Sequence, residues 1–228
     1  MKNLINNMLN LFFPDLCVIC NDNLVSGEEH ICKKCLNDIP RTNYHRVKDN
    51  PIEKKFWGKV TIYRGTSFYF FTKGSPYQKV LHELKYKNNK EIGLTLGKYA
   101  AADLLDSTDF RTVDVVIPVP LHQRKLAQRG YNQSEWIARG LCMLLQCSLD
   151  QTTLIRKKHN PTQTKKSVYE RYENTEGVFE LTETSGLENK HVLLVDDVLT
   201  TGSTLEAAAK ELLQIRGIRV SIFTLAVA

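Results

Sequence analysis

The sequence predicts an α/β fold: a mostly parallel sheet with helices on both faces, plus a small tetracysteine zinc-ribbon-like module at the N-terminal end. Three observations lead there. From Lys59 onward, β-type apolar runs alternate with segments of helical periodicity, the pattern of a parallel sheet covered on both sides. The stretch from His191 to Thr204 is an apolar strand that ends in two carboxylates, a Thr/Gly/Ser loop and a helix start. Finally, Cys17-x2-Cys20-x11-Cys32-x2-Cys35 makes two cysteine knuckles. At 228 residues the chain can hold one sizeable domain plus an appendage. The expected division is residues 1–58 for an N-terminal helix and zinc-binding module, and 59–228 for the α/β domain.

Taken in order, Leu4, Ile5, Met8, Leu9, Leu11 and Phe12 fall at helical spacings and predict a short helix. It is expected to pack on the body of the protein, contact with a membrane surface being the alternative. This start lacks the charge and cleavage pattern of a signal peptide, and no run of about eighteen apolar residues occurs. A cytoplasmic protein is therefore expected, with peripheral attachment at the inner membrane face as the alternative. Four thiolates at Cys17, Cys20, Cys32 and Cys35 can close tetrahedrally on a structural Zn²⁺, leaving no open position for chemistry. Two disulfides are the competing reading, disfavoured without a secretory signal. His30 could replace one ligand.

Pro40 to Pro51 is polar and proline-bounded, a hinge candidate. Lys59 to Phe71 is rich in β-formers and predicts a strand pair turning at Arg64-Gly65. A helix is predicted from Ser75 to about Tyr86, with Val80, Leu81 and Leu84 on one face. A second runs from about Lys90 to Leu105, burying Ile92, Leu96, Tyr99 and Ala100. Val113–Ile117 is a short strand stopped by Pro118-Val119-Pro120. Arg129-Gly130-Tyr131-Asn132 leads into a helix carrying Trp136, Ile137, Leu141 and Leu144. Cys142 and Cys147, in that apolar segment, read as inert buried thiols. Lys157–Glu176 shows no periodicity and predicts a loop, and Gly177–Leu181 a strand. Leu205, Ala208, Ala209 and Leu212 define a helix that stops at Gly217, before a last strand, Ile218–Val227.

With 42% hydrophobic and 25% charged residues, the composition is that of an ordinary soluble protein. The net charge of +6 is concentrated. Between Leu121 and Thr175 there are ten Lys and Arg against four acidic residues, so the rest of the chain is neutral overall. Such a block suits an anion, and pyrophosphate and nucleic acid both fit.

The chemistry of His191–Thr204 is narrower. In open α/β sheets, ligands sit in the crevice beyond the carboxyl ends of the strands. A helix N-terminus offers unpaired N–H groups to a phosphate, Gly202 permits close backbone approach, and the hydroxyls of Thr200, Thr201, Ser203 and Thr204 add donors. Asp196 and Asp197 can accept from sugar hydroxyls or hold a divalent ion through water. A phosphate site beside a hydroxyl acceptor suggests a sugar phosphate. Simple helix capping by Ser203 or Thr204 is the plainer account of the loop alone. No Walker-type GxxxxGK[ST] is present.

The ungapped pattern of four hydrophobic residues, two acidic, two hydrophobic (Val198, Leu199) and Thr-Thr-Gly-Ser-Thr resembles the phosphoribosyl-pyrophosphate (PRPP) signature of type I phosphoribosyltransferases. Val116–His122 followed by Arg129–Gln133 resembles the PVPLH…RG[FY]NQ pattern of ComF-like competence proteins. Leu84-Lys85-Tyr86-Lys87 resembles that family's LKYK box, Gln163, Ser167, Arg171 and Asn174 its downstream segment, and the tetracysteine knuckle its N-terminus. Lys166 departs from the pattern, standing where an apolar residue is usual.

The resemblance implies a type I phosphoribosyltransferase fold that binds PRPP, or a ribose 5-phosphate or nucleotide-like molecule, with Mg²⁺. It also implies a role in DNA uptake during natural transformation. It assigns Asp196 and Asp197 to the ribose hydroxyls and Val198 to Thr204 to the 5′-phosphate. The first βα loop, about Pro118 to His122, would hold the pyrophosphate, and a basic loop from about Arg156 to Arg171 would close over the site; Pro118, Val119, Arg124, Lys125, Arg129 and Arg171 are its weaker site candidates. For the three cations from Arg124 to Arg129, a solvated basic face would look the same. Any hood that recognises an acceptor base is expected before Val113. The open functional alternatives are a true phosphoribosyltransferase in nucleotide metabolism or salvage, a ligand sensor without turnover, a factor binding single-stranded DNA and a competence helicase, and a structural adaptor. Oligomeric state is left open, a dimer included.

Overall fold

The computed structural model describes residues 15–157 and 177–228. The predicted N-terminal helix, most of the Lys157–Glu176 loop, and Gln163, Lys166, Ser167, Arg171 and Asn174 lie outside them. Among the described residues, a five-stranded parallel sheet has the order β1 (Gly65–Phe70), β7 (Arg219–Val227), β6 (His191–Leu199), β2 (Val115–Pro118), β3 (Ser148–Leu149). Each neighbouring pair runs parallel. Two short strands, β4 (Leu154–Arg156) and β5 (Phe179–Leu181), pair antiparallel beside it.

The strands at the sheet centre are apolar on both sides because both faces are covered. One face carries α1 (Lys33–Asn37) of the cysteine knuckle, α3 (Gln78–Tyr86), α4 (Glu91–Leu104) and α6 (Gln133–Leu145). The other carries α2 (Pro51–Lys54) and α7 (Ser203–Leu212). Helix α5 (Gln123–Arg129) buries none of its residues. Helices α4 and α6 touch backbone to backbone. A Cβ on Gly97 would overlap the carbonyl oxygen of Ile137, and one on Gly140 that of Leu94.

Several expectations are corrected. Lys59–Phe71 is not a strand pair: only Gly65–Phe70 is a strand, and Arg64-Gly65 does not reverse the chain. Arg64 instead turns inward to a buried ion pair with Glu53 (2.7 Å) and a second with Asp109. Gly65 is needed for close packing, since a Cβ would come within 3.2–3.3 Å of Ile52, Ile62 and Glu53 side chains. The hinge candidate is tied down as well. The Phe70 N–H donates to the Pro40 carbonyl (2.9 Å) and that of Thr42 to Phe68 (3.0 Å), so residues 40–42 line the free edge of β1. Asn50 caps α2 with a full capping box.

Tyr99 is exposed, because the buried stripe of α4 turns its glycines and alanines toward α6. Cys147 lies beyond the end of α6, and it and Cys142 are half-buried, with their Sγ atoms 3.7 Å apart. Strand β6 continues through the acidic pair to Leu199, held by pairing to Ala226 and Val227. Gly202, at φ 85°, is the N-cap of α7 in place of Ser203 or Thr204. The two- and three-residue strands β3 and β4 were not anticipated.

Helix α3 is anchored at both ends. The Tyr77 hydroxyl donates to the Cys35 carbonyl (3.3 Å) and Lys79 Nζ to the Ile19 carbonyl (3.1 Å), both in the cysteine module. At its far end, the Leu84 carbonyl accepts from the Tyr131 hydroxyl, and Arg129 lies 5.7 Å over the Tyr86 ring.

Candidate functional site

The carboxyl ends of β2 and β6 open into two adjoining clefts that share Asp196 and Thr204. The larger, about 140 Å³, is lined by Lys85, Val119, Pro120, Leu121, Lys125, Arg129, Gln133, Ser134, Arg156, Asp196, Asp197 and Thr204. The smaller, about 40 Å³, is formed by Asp196 and residues 198–205. The order of the sheet brings these ends together: β6 delivers the acidic pair, and β2 beside it delivers Val119 to Leu121. The Asn132 side-chain amide donates to the Val119 carbonyl (3.0 Å), fixing that turn to the start of α6.

The two carboxylates have different partners. Oδ1 of Asp196 accepts from the Ser134 hydroxyl (3.0 Å) and from the Asp197 N–H (2.9 Å). Oδ2 of Asp197 is paired with Lys85 Nζ at 3.0 Å. Among the described residues, Oδ2 of Asp196 and Oδ1 of Asp197 thus have no hydrogen-bond partner. Burial, and next the charge of Asp197, push the Asp196 carboxyl up to about 7, against the pull of the Asp197 N–H, Ser134 and Lys85. Burial also lowers the Arg156 guanidinium from its ordinary value, with the charge of Asp196 opposing.

The loop after β6 is shaped as a small cradle. Gly202 is buried with a left-handed backbone, and a Cβ there would lie 3.4 Å from the Phe56 ring. The hydroxyls of Thr201 and Ser203 lie 3.1 Å apart and are exposed, as is Thr200, whose carbonyl accepts from Lys55 Nζ (2.7 Å). The first N–H groups of α7 face this loop, the usual setting for an anion.

Of the sequence-predicted residues, Asp196, Asp197, Thr200, Thr201, Gly202, Ser203 and Thr204 come together here, with Val119, Lys125 and Arg129. Leu199 is fully buried and Val198 packs against the core, so these two contribute backbone to the cleft while their side chains fix the strand. Pro118 is a buried strand residue paired with Val195 and does not line the clefts. Arg124 also lies outside them, its N–H donating to His122 Nδ1 (3.2 Å). Arg171 lies outside the described residues. The sequence did not single out Ser134, and it marked Gln133 and Lys85 only as parts of motifs. For Ser134, a hydroxyl next to that motif at a helix start was the available signal.

The cysteine cluster is the second candidate centre. The sulfurs of Cys17, Cys20, Cys32 and Cys35 all lie within 4.8 Å of one another, and Cys20 and Cys32 are 3.8 Å apart. With Zn–S bonds of about 2.3 Å, tetrahedral thiolates sit about 3.8 Å apart. The N–H groups of Cys32, Asp22 and Cys35 each donate at 3.4 Å to the sulfurs of Cys17, Cys20 and Cys32 respectively, stabilising thiolates. The four residues therefore fit a structural zinc ion.

A parallel sheet whose crevice pairs a Thr/Gly/Ser loop at a helix start with an acidic dyad has the form of the phosphoribosyltransferase type. The phosphoribosyl transferase domain model matches residues 85–227, and the chain belongs to that family. Within it the chain is ComF-like. It is 27% identical to DNA utilization protein YhgH of Shigella flexneri, over 94% of this chain and 98% of that one. It is also 27% identical to Competence protein F of Haemophilus influenzae, over the same shares. A hypoxanthine phosphoribosyltransferase structure from Staphylococcus aureus aligns at 23% identity and TM-score 0.37, covering 60% of this chain and 64% of that chain. No helix among the described residues is long and apolar enough to cross a membrane.

Proposed function

We propose that this protein binds PRPP, or a ribose 5-phosphate or nucleotide carrying the same group, and acts in the handling of DNA taken up during transformation. The observation that carries the first part is the pair of carboxylate oxygens, Asp196 Oδ2 and Asp197 Oδ1, that have no partner among the described residues and lie beside the Thr200–Thr204 cradle. Two acceptors on adjacent residues match the two hydroxyls of a ribose, and the cradle suits its 5′-phosphate. Lys125, Arg129 and Arg156 face the same cleft and suit further anionic groups at the ribose C1. If transfer from PRPP occurs, the bond from C1 to pyrophosphate breaks as the acceptor's bond to C1 forms. These three cations would balance the charge of the departing pyrophosphate.

Mg²⁺ accompanies PRPP in enzymes of this fold, where it balances phosphate charge. Here one oxygen of each carboxylate is already engaged, by Ser134 on Asp196 and by the Lys85 ammonium on Asp197, so the pair already has a cation beside it and calls for no ion bound directly to it. The cysteine module is assigned a structural Zn²⁺.

Calorimetric titration with PRPP, Mg²⁺ in the buffer, tests this reading. The wild type should bind, and the double variant Asp196→Asn/Asp197→Asn should lose at least about tenfold in affinity, or about 1.4 kcal/mol. No binding by the wild type would discard it. Pyrophosphate release with candidate bases then separates an enzyme from a sensor.

A second reading, for which the name DNA utilization protein of one relative is the support, is contact with DNA, here single-stranded, through the basic block. Affinity for an oligonucleotide should then fall steeply with added salt. A flat response would remove that reading.

A further inference from the structure

We propose that Lys85 is a built-in counter-cation of the acidic pair, taking at Asp197 the place of a divalent ion, so that ribose 5-phosphate binds this pocket without one. The inference rests on the ribose-phosphate reading of the pocket and concerns how that pocket is kept in charge balance.

Lys85 is held where a counter-ion is needed. Its ammonium is 3.0 Å from Asp197 Oδ2, and both side chains are largely withdrawn from solvent, at 23% and 15% exposure. Screening by salt is weaker there than at an open surface. The residues on either side of Lys85 are fixed by one segment, the end of α5 and the loop that follows it. Tyr131 takes the carbonyl of Leu84, and Arg129 stacks on the ring of Tyr86. A lysine clamped through both neighbours gives up little further freedom to hold its ion pair.

The carboxylate oxygens point the same way. Lys85 holds one oxygen of Asp197 and Ser134 one of Asp196, so the pair already carries a positive partner and a donor before any ion arrives. The oxygen remaining on each suffices for one ribose hydroxyl. The ammonium thus serves as the cation that balances the charge of Asp197 beside Asp196. Lys85 touches Asp197 rather than the ligand's reacting atoms, so it is a positioning residue.

The test is calorimetry with ribose 5-phosphate in magnesium-free buffer and again with millimolar Mg²⁺. No chelator is used, which leaves the metal of the cysteine module in place. The wild type should bind with the same affinity, within about twofold, in both buffers. Lys85→Met should weaken by about tenfold or more without Mg²⁺ and recover when it is added, whereas Lys85→Arg should keep the metal-independence. A lysine that only supports the fold would not make affinity respond to Mg²⁺. As a second measurement, Mn²⁺ alone, followed by electron paramagnetic resonance, should gain a site in Lys85→Met that Asp197→Asn removes.

A wild type that binds ribose 5-phosphate only with Mg²⁺, or a Lys85→Met protein that behaves as wild type in both buffers, would overturn the proposal. Should Lys85→Met fail to fold, the wild-type comparison decides alone. Absence of binding to both ribose 5-phosphate and PRPP would instead discard the ribose-phosphate reading, and this inference with it.

Discussion

Asp196 and Asp197 are adjacent in sequence and differ in surroundings, Asp196 facing Ser134 and Asp197 facing Lys85. The native fold raises the Asp196 carboxyl from 3.8 to about 7, so it favours the protonated form relative to the unfolded chain. The sign follows from linkage: this group's contribution to stability is complete below pH 3.8 and is lost as pH rises through about 7. Ligand binding runs the other way, because a ribose hydroxyl donates to the ionised carboxylate. Affinity for PRPP should therefore climb between about pH 6 and pH 8 and then level off. Asp196→Asn should flatten that profile in calorimetry at several pH values, and should also reduce the fall in thermal stability over the same range. Ser134→Ala removes a donor to the ionised form and should move the midpoint of the affinity profile to higher pH.

Among the elements, the contact of α4 with α6 has the least tolerance. Gly97 and Gly140 each leave room for a carbonyl of the partner helix and for nothing more. Gly97→Ala gains helix propensity but must push the helices apart, a net loss of about 1–3 kcal/mol or more in chemical denaturation. Helix α6 also presents Ser134 to Asp196, so the same variant should weaken PRPP binding. In the cysteine module, the proposed zinc would tie two knuckles together through four sulfurs, so its loss would leave them untied. Removal of zinc by a chelator should lower the melting temperature, and restoring zinc should recover it. Native mass spectrometry should show one zinc per chain.

Across the whole molecule, what could be read in the sequence divides by distance along the chain. The strand, acidic pair and loop of His191–Thr204 were legible because each signal is local: an apolar run, a polar break, then helix periodicity. The cysteine cluster was legible for the same reason. Lys85 and Ser134 enter the site through packing of α3 and α6, which no periodicity encodes, so their part in the pocket appears only in three dimensions. The strand pair expected over Lys59–Phe71 failed because β-propensity does not register an arginine drawn into a buried pair with Glu53. Strands β3 and β4 are too short to show alternation and exist because their neighbours do.

Helix α3 is only nine residues, about 13.5 Å from end to end. Its first turn is fastened to the cysteine module and its last residues deliver Lys85 to Asp197. A rod that short, grasped at both tips, has no slack in which to absorb a shift. Loosening the knuckle must drag the ammonium, so demetallated protein should lose ribose-phosphate affinity even at temperatures where the sheet is intact, a loss that circular dichroism and calorimetry on one sample can separate from unfolding.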